Sequence, residues 1–189
     1  MSEITLDVGL AYKIKQALSR NGIPDVADLD WLATGDNIVN MRRVRLGHAE
    51  IVTPEHLIDC DADPYIPDGW SVEEHRKGGT FKYDPAKVRL HLDEGQKNGK
   101  WIEGNNLRKK LANKPVLNAN VLDYLLANPH LIPEEWKGEI VFFWGTIYRH
   151  RGGHLCVRRL IWSGDRWYWC ASWLDLGWCG SHPAVVPAS

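Results

Sequence analysis

The chain has 189 residues, 44% of them hydrophobic and 25% charged, with a formal net charge of −1. This composition fits a soluble globular protein with one well-filled core, or a core plus a small appendage. It excludes a chain drawn as a whole to nucleic acid or acidic lipid by its own field, and no apolar run approaches the roughly 20 residues of a membrane-spanning helix.

The first residues hold no basic stretch followed by an apolar core, so no secretory signal is expected. Leu6, Leu10, Ile14, Ala17 and Leu18 fall on one helical face, and Asn21, Gly22 and Pro24 stop that helix. A second short helix opens at Pro24 and Asp25 and groups Val26, Leu29 and Leu32. Residues 37–46 fit either a helix carrying Ile38, Met41 and Val44 or a segment that ends in a strand. Thr53, Pro54 and Glu55 read as an N-cap and first turn, which predicts a short helix running into Asp59. An N-terminal helical segment over 1–58 and an α+β domain over 59–189 follow from this reading.

Turn residues fill the joint from Asp59 to Trp70. Residues 71–75 and 80–83, joined by Arg76 to Gly79, read as a β-hairpin, and 88–92 alternates as a further strand. Asn105 or Asn106 caps a helix carrying Leu107 and Leu111. Asn118 or Asn120 caps another carrying Val121, Leu122, Leu125 and Leu126. Pro133, Glu134 and Glu135 open a short helical turn that Gly138 ends.

Residues 139–189 hold six of the ten tryptophans, five arginines, no lysine and three acids. Three strands are predicted there, over 139–149, 154–162 and 166–174, with tight turns at Arg151–Gly152 and Gly164–Asp165. With two-residue turns, alternation places Val141, Phe143, Ile147, Cys156, Leu160, Trp162, Trp167, Trp169 and Trp173 on one face. Phe142, Trp144, Thr146, Tyr148, Leu155, Val157, Arg159, Ile161, Tyr168, Cys170 and Leu174 take the other. Neither face is polar, so both must be buried, or one must bind something. The tail from Pro183 either frays or lies along the sheet. The expected fold is α+β: a helical segment, then a mixed domain ending in a Trp-rich three-stranded antiparallel meander packed on helices.

Four scattered cysteines do not make a disulfide scaffold, so free thiols and a cytoplasmic location are expected. Neither a nucleophile elbow nor a dinucleotide fingerprint occurs, which argues against the common enzyme classes. The leading expectation is a non-catalytic binding module without a cofactor. Trp144, Tyr148, Arg159, Tyr168 and Trp178 would form its surface for a protein partner or a polyanion, because aromatic planes stack and arginines neutralise. A second expectation is nucleic-acid binding through Arg42, Arg43, Arg45, Arg108, Lys109 and Lys110, with affinity that falls steeply with salt. The near-zero net charge does not favour it.

A third is a small metal-dependent hydrolase built on His56, Asp59, Asp61 and Asp63, the densest set of hard ligands. The glycine and distal glutamate of a calcium loop are missing there, replaced by Pro64 and Trp70. Among His150, His154, Cys156, Cys170, Cys179 and His182, only Cys179 and His182 are closely spaced, short of the two pairs usual in structural zinc sites.

Several segments are long enough to be specific: Asp59 to Pro64, Pro67 to Trp70, Pro115 to Leu126, Leu131 to Gly138, Phe143 to Tyr148 and the closing Trp-rich stretch. On these the chain resembles a family of predicted bacterial proteins associated with candidate-phylum and metagenomic genomes. The resemblance runs from about Asp59 to the C-terminus. It implies no activity and carries no functional residue, and the first fifty-odd residues fall outside it.

Overall fold

The structure is a computed structural model that describes residues 16, 30, 34–48 and 55–188. The chain forms two compact units, Met1–Pro54 and Glu55–Ser189. In the first, helix α1 (Asn37–Arg45) settles the helix-or-strand ambiguity as helix. Its last turn carries Arg42, Arg43 and Arg45, where cations meet the partial negative charge of the helix end. Gly47, at φ 71°, supplies the left-handed residue that stops it. The helices expected over 6–18 and 25–32 lie outside the described residues except for Gln16 and Asp30, which are helical.

The second unit is α+β and is built on a seven-stranded mixed sheet. A separate two-stranded sheet pairs β1 (His56–Asp59) with β3 (Thr80–Tyr83). The main sheet takes β2 (Ser71–His75), β4 (Val88–His91), β6 (Val141–Phe142), β7 (Thr146–Arg149), β8 (Leu155–Ser163), β9 (Arg166–Trp173) and β11 (Ala184–Pro187). Its order is β2-β7-β8-β6-β11-β4, with β9 on the other edge of β8. Strand β8 is long enough for β7 and β6 to share one edge while β9 covers the whole of the other. A second small sheet pairs β5 (Ile102–Glu103) with β10 (Gly177–Trp178).

The β8–β9 turn is as predicted. Gly164 and Asp165 take φ of 57° and 62°, and Ser163 faces Arg166 across a two-residue loop. The β7–β8 turn is not. The His150 amide donates to the His154 carbonyl, and Gly153 at φ 88° completes a loop over 151–153. A continuous strand over 139–149 also fails, because the chain turns out at Trp144 and Gly145 between β6 and β7. Gly145 passes so close to Asn118 that a Cβ there would stand 2.8 Å from the Asn118 Cα. Its amide donates to the Leu117 carbonyl and its carbonyl accepts from Arg76. The combined shift puts Tyr148 opposite Cys156, on the face predicted for Ile147.

The hairpin over 71–83 is a further correction. Both strands form, but β2 pairs with β7 and β3 with β1. The Asp61 carboxylate accepts from the Gly78 and Gly79 amides at 2.9 and 2.8 Å, and the Cys60 amide donates to the Gly79 carbonyl. These bonds hold the glycine turn against the end of β1. Residues 56–59, read as the end of a helix, are that strand.

The two helices of the predicted pair are α2 (Gly104–Lys110) and α3 (Ala119–Ala127), capped by the Glu103 and Asn118 side chains. They pack on opposite faces of the sheet. Val121, Leu122 and Leu125 of α3 meet Val141, Phe143 and Leu160. Leu107 and Leu111 of α2 meet Phe142, Ile147 and Val157. Each helix therefore seals one apolar face. The tail does not fray: β11 runs parallel to β6 and antiparallel to β4, with Ala184, Val185 and Val186 buried. On the α3 side the Arg158 guanidinium forms a two-armed pair with Asp123 at 2.6 and 2.9 Å and lies 4.4 Å from the Trp169 ring centre. Among the described residues no helix is long and apolar enough to cross a membrane.

Candidate ligand-binding cavity

Alternation along β8 sends Arg159 to the α2 side, beside Phe142 of β6 and opposite Cys170 of β9. After β9 the chain turns through Leu176 into β10 and then through a tight loop, where the His182 amide donates to the Cys179 carbonyl. Gln96 is buried and clamps that loop, its Nε2 donating to the carbonyls of Cys179 and His182 at 3.1 and 2.9 Å. Gln96 is itself held by a capping box with Asp93. The sheet face and the clamped loop border a half-open cavity of about 330 Å³ lined by Phe142, Arg159, Ser172, Trp173, Trp178 and His182 among others.

The electrostatics of this cavity are lopsided. Arg159 Nε is buried without a hydrogen-bond partner, and no carboxylate among the described residues pairs with its guanidinium. The guanidinium carbon lies 5.9 Å from the Phe142 ring centre, a weak cation–π contact that cannot replace a counter-ion. Burial, then the charge of Arg159, holds the His182 imidazole below its ordinary range, so the ring is neutral at pH 7. A half-buried cation, a neutral imidazole and the Ser172 hydroxyl on aromatic walls make a place for an anion. Burying an unpaired charge costs several kcal/mol in general, and a bound anion removes that cost.

The five residues expected to form a ligand surface are divided. Arg159 and Trp178 line the cavity. Trp178 and Trp144 are each 1% exposed and pack together at 4.7 Å between ring centres, so they are core walls rather than stacking planes. Tyr148 is fully buried on the opposite face and its hydroxyl donates to the Tyr65 carbonyl. Tyr168, 38% exposed, shares the Arg159 side of β9. Ser172 and His182 were missed as a site: register places the first, and the Cys179–His182 spacing was read only as metal-like.

The residues of the other predicted sets lie in mixed surroundings. Arg42, Arg43 and Arg45 are exposed on α1 in the first unit. In the second, Arg108 pairs with Glu74 and Lys110 with Asp93, while Lys109 has no acidic partner among the described residues. Asp59 accepts from the amides of Asp61 and Ala62, Asp61 from those of Gly78 and Gly79, and Asp63 stays exposed. His56 Nδ1 lies 3.0 Å from the Tyr124 hydroxyl. These four do not converge, and no three metal-ligating side chains group together among the described residues. Asp59 and Asp61 act as turn acceptors.

The thiols differ in their surroundings. Burial, then Asp61 and Asp59, pushes Cys60 up to about 11, and burial pushes Cys156 up to about 12. Cys179, beside the cavity, is lowered by its hydrogen bond with Ser181 and lies 3.6 Å from His182 Nδ1. Iodoacetamide at pH 8 should therefore modify Cys179 first, with Cys60 and Cys156 protected until the protein unfolds. Peptide mapping after timed quenching checks this; equal labelling of Cys156 and Cys179 would contradict the burial described.

Comparison with protein-family models, with curated proteins and with solved structures finds no match to this chain.

Proposed function

We propose that this protein is a binding module that holds a carboxylate-bearing ligand in the cavity between β8, β9 and the 179–182 loop. The observation that carries the reading is Arg159, a cation set into an aromatic-walled cavity without an acidic partner among the described residues. Arg159 supplies the charge partner, His182 and Ser172 the neutral polar contacts, and Phe142 and Trp178 the apolar walls. This keeps the expected aromatic and arginine-bearing sheet as the binding element but moves the ligand from a flat face to a partly open pocket. The cavity volume, about 330 Å³, suits a small acid or the end of a larger molecule.

Titration calorimetry with a panel of small aromatic and aliphatic carboxylates tests the reading. Arg159→Gln should weaken any binding at least tenfold, since a charge-assisted hydrogen bond contributes about 1.5–3 kcal/mol. The pH dependence has a defined sign. A bound anion offsets the Arg159 charge and raises His182 from its lowered position, so binding takes up a proton. Affinity should rise as pH falls from 8 toward 5.5, by up to about tenfold per unit of upward shift, while the ligand stays ionised. His182→Gln should flatten that profile. Carboxylates that bind wild type and Arg159→Gln equally would overturn the proposal.

A further inference from the structure

The cavity lies at the end of a strand edge that is unpaired among the described residues. Among the described residues strand β9 pairs only with β8. The register shows which of its backbone groups face outward. In the same register the Leu174 amide donates to the Leu155 carbonyl at 2.9 Å. Hydrogen-bonded pairs alternate in an antiparallel ladder, so Ser172, Cys170 and Tyr168 bond to β8. Trp167, Trp169 and Ala171 then turn their amides and carbonyls away from it. Among the described residues no backbone group meets them. Ala171, Ser172 and Trp173, at the far end of this edge, line the cavity that holds Arg159.

We infer that the ligand is the free carboxyl end of an extended peptide, added as a strand parallel to β9 with its terminal carboxylate against Arg159. This rests on the cavity being an anion site. Charge sets both the direction and the occupant. A parallel strand ends at Trp173, beside the cation; an antiparallel one would bring an amino terminus there instead. A second copy of this chain pairing through its own β9 brings no counter-charge, because residues 166–173 include Arg166 and no acid. The added strand would lie about 4.8 Å beyond β9, and its backbone bonds would supply affinity while the carboxylate supplies register. Tyr168 and Trp167, both partly exposed, would flank its side chains and select apolar ones.

Two displayed random heptapeptide libraries test the idea on the 189-residue chain, one presenting free carboxyl ends and the other tethered through them. The expected result is enrichment from the free-ended library alone. Enriched peptides made synthetically should lose at least about tenfold in affinity on C-terminal amidation, and a similar factor against Arg159→Gln. N-methylation should abolish binding at alternate residues only, those whose amides face β9. No enrichment over the tethered library, or amidated peptides that bind as well as free ones, overturns the peptide reading. If small carboxylates still bind wild type but not Arg159→Gln, the anion cavity stands without it. If no carboxylate of any size binds, both readings fall together.

Discussion

Replacing Asp123 with alanine should destabilise the protein by about 3–5 kcal/mol, the usual cost of removing one partner from a buried ion pair. The two partners are unequal in their access to water. The Arg158 side chain is 1% exposed and the Asp123 side chain 33%. Both terminal nitrogens of Arg158 are engaged by the carboxylate, and the ring systems of Trp169 and Tyr65 close over the guanidinium. Deleting the carboxylate leaves a full positive charge among rings. Urea unfolding followed by tryptophan fluorescence gives the number. The double variant Asp123→Leu/Arg158→Met removes both charges and should recover most of the loss. A cost below about 1 kcal/mol for Asp123→Ala would mean that Arg158 reaches water and that the face over β8 is open.

Trp178→Ala should cost a similar amount, about 3–5 kcal/mol, as a large core truncation that leaves a cavity. Its ring centre lies 4.2 Å from that of Phe142 and 4.7 Å from that of Trp144. Gly104, at the start of α2, has no room for a side chain, since a Cβ there would stand 2.6 Å from the Leu174 carbonyl oxygen. Helix, loop and sheet thus meet on Trp178, and their packing cannot collapse into the space that its loss creates. The same substitution separates two roles. A ligand-stacking tryptophan would give a stable protein that has lost binding; a structural one gives a protein whose denaturation midpoint falls first. Thermal and urea unfolding beside a carboxylate titration distinguish these outcomes, and a loss below about 1 kcal/mol would return Trp178 to the surface.

Local chemistry made much of this architecture legible. Gly164 and Asp165 encode a two-residue turn because both positions need positive φ, and the β8–β9 register follows from it. Asn118 announces α3, and Pro133 to Gly138 a short turn, through side-chain and backbone rules that act within a few residues. Where two local solutions compete, the reading fails. Arg151, Gly152 and Gly153 allow either a two- or a three-residue loop, and only the choice of Gly153 as the left-handed residue decides it. That one choice, with the break at Gly145, reassigned Tyr148. The 71–83 segment failed for another reason: its competing partners, Asp61 for the glycine amides and β7 for β2, are remote in sequence.

For the site, alternation placed Arg159 on the correct strand and face. Its lack of an acidic neighbour is a property of the assembled fold. So is the burial of Trp144, which alternation within one unbroken strand had presented as a surface plane.

The position of β11 has a consequence for how the molecule assembles. Among the described residues strand β4 is attached to the rest of the sheet only through β11, with His91 facing Ala184 and Val88 facing Pro187. Residues that meet across that ladder are separated by most of the domain's length, so the loop-closure entropy falls due before the contacts can offset it. Until β11 docks, Val88 and Leu90 have no strand beside them and Val141 and Phe142 present an open edge. Collapse of the β7–β8–β9 meander, which is local, can precede this step. The expected consequence is that this closure, which joins the C-terminal strand to one far earlier in the domain, is slower than the local meander, and that strand edges left open before it are where pairing with a wrong chain would begin.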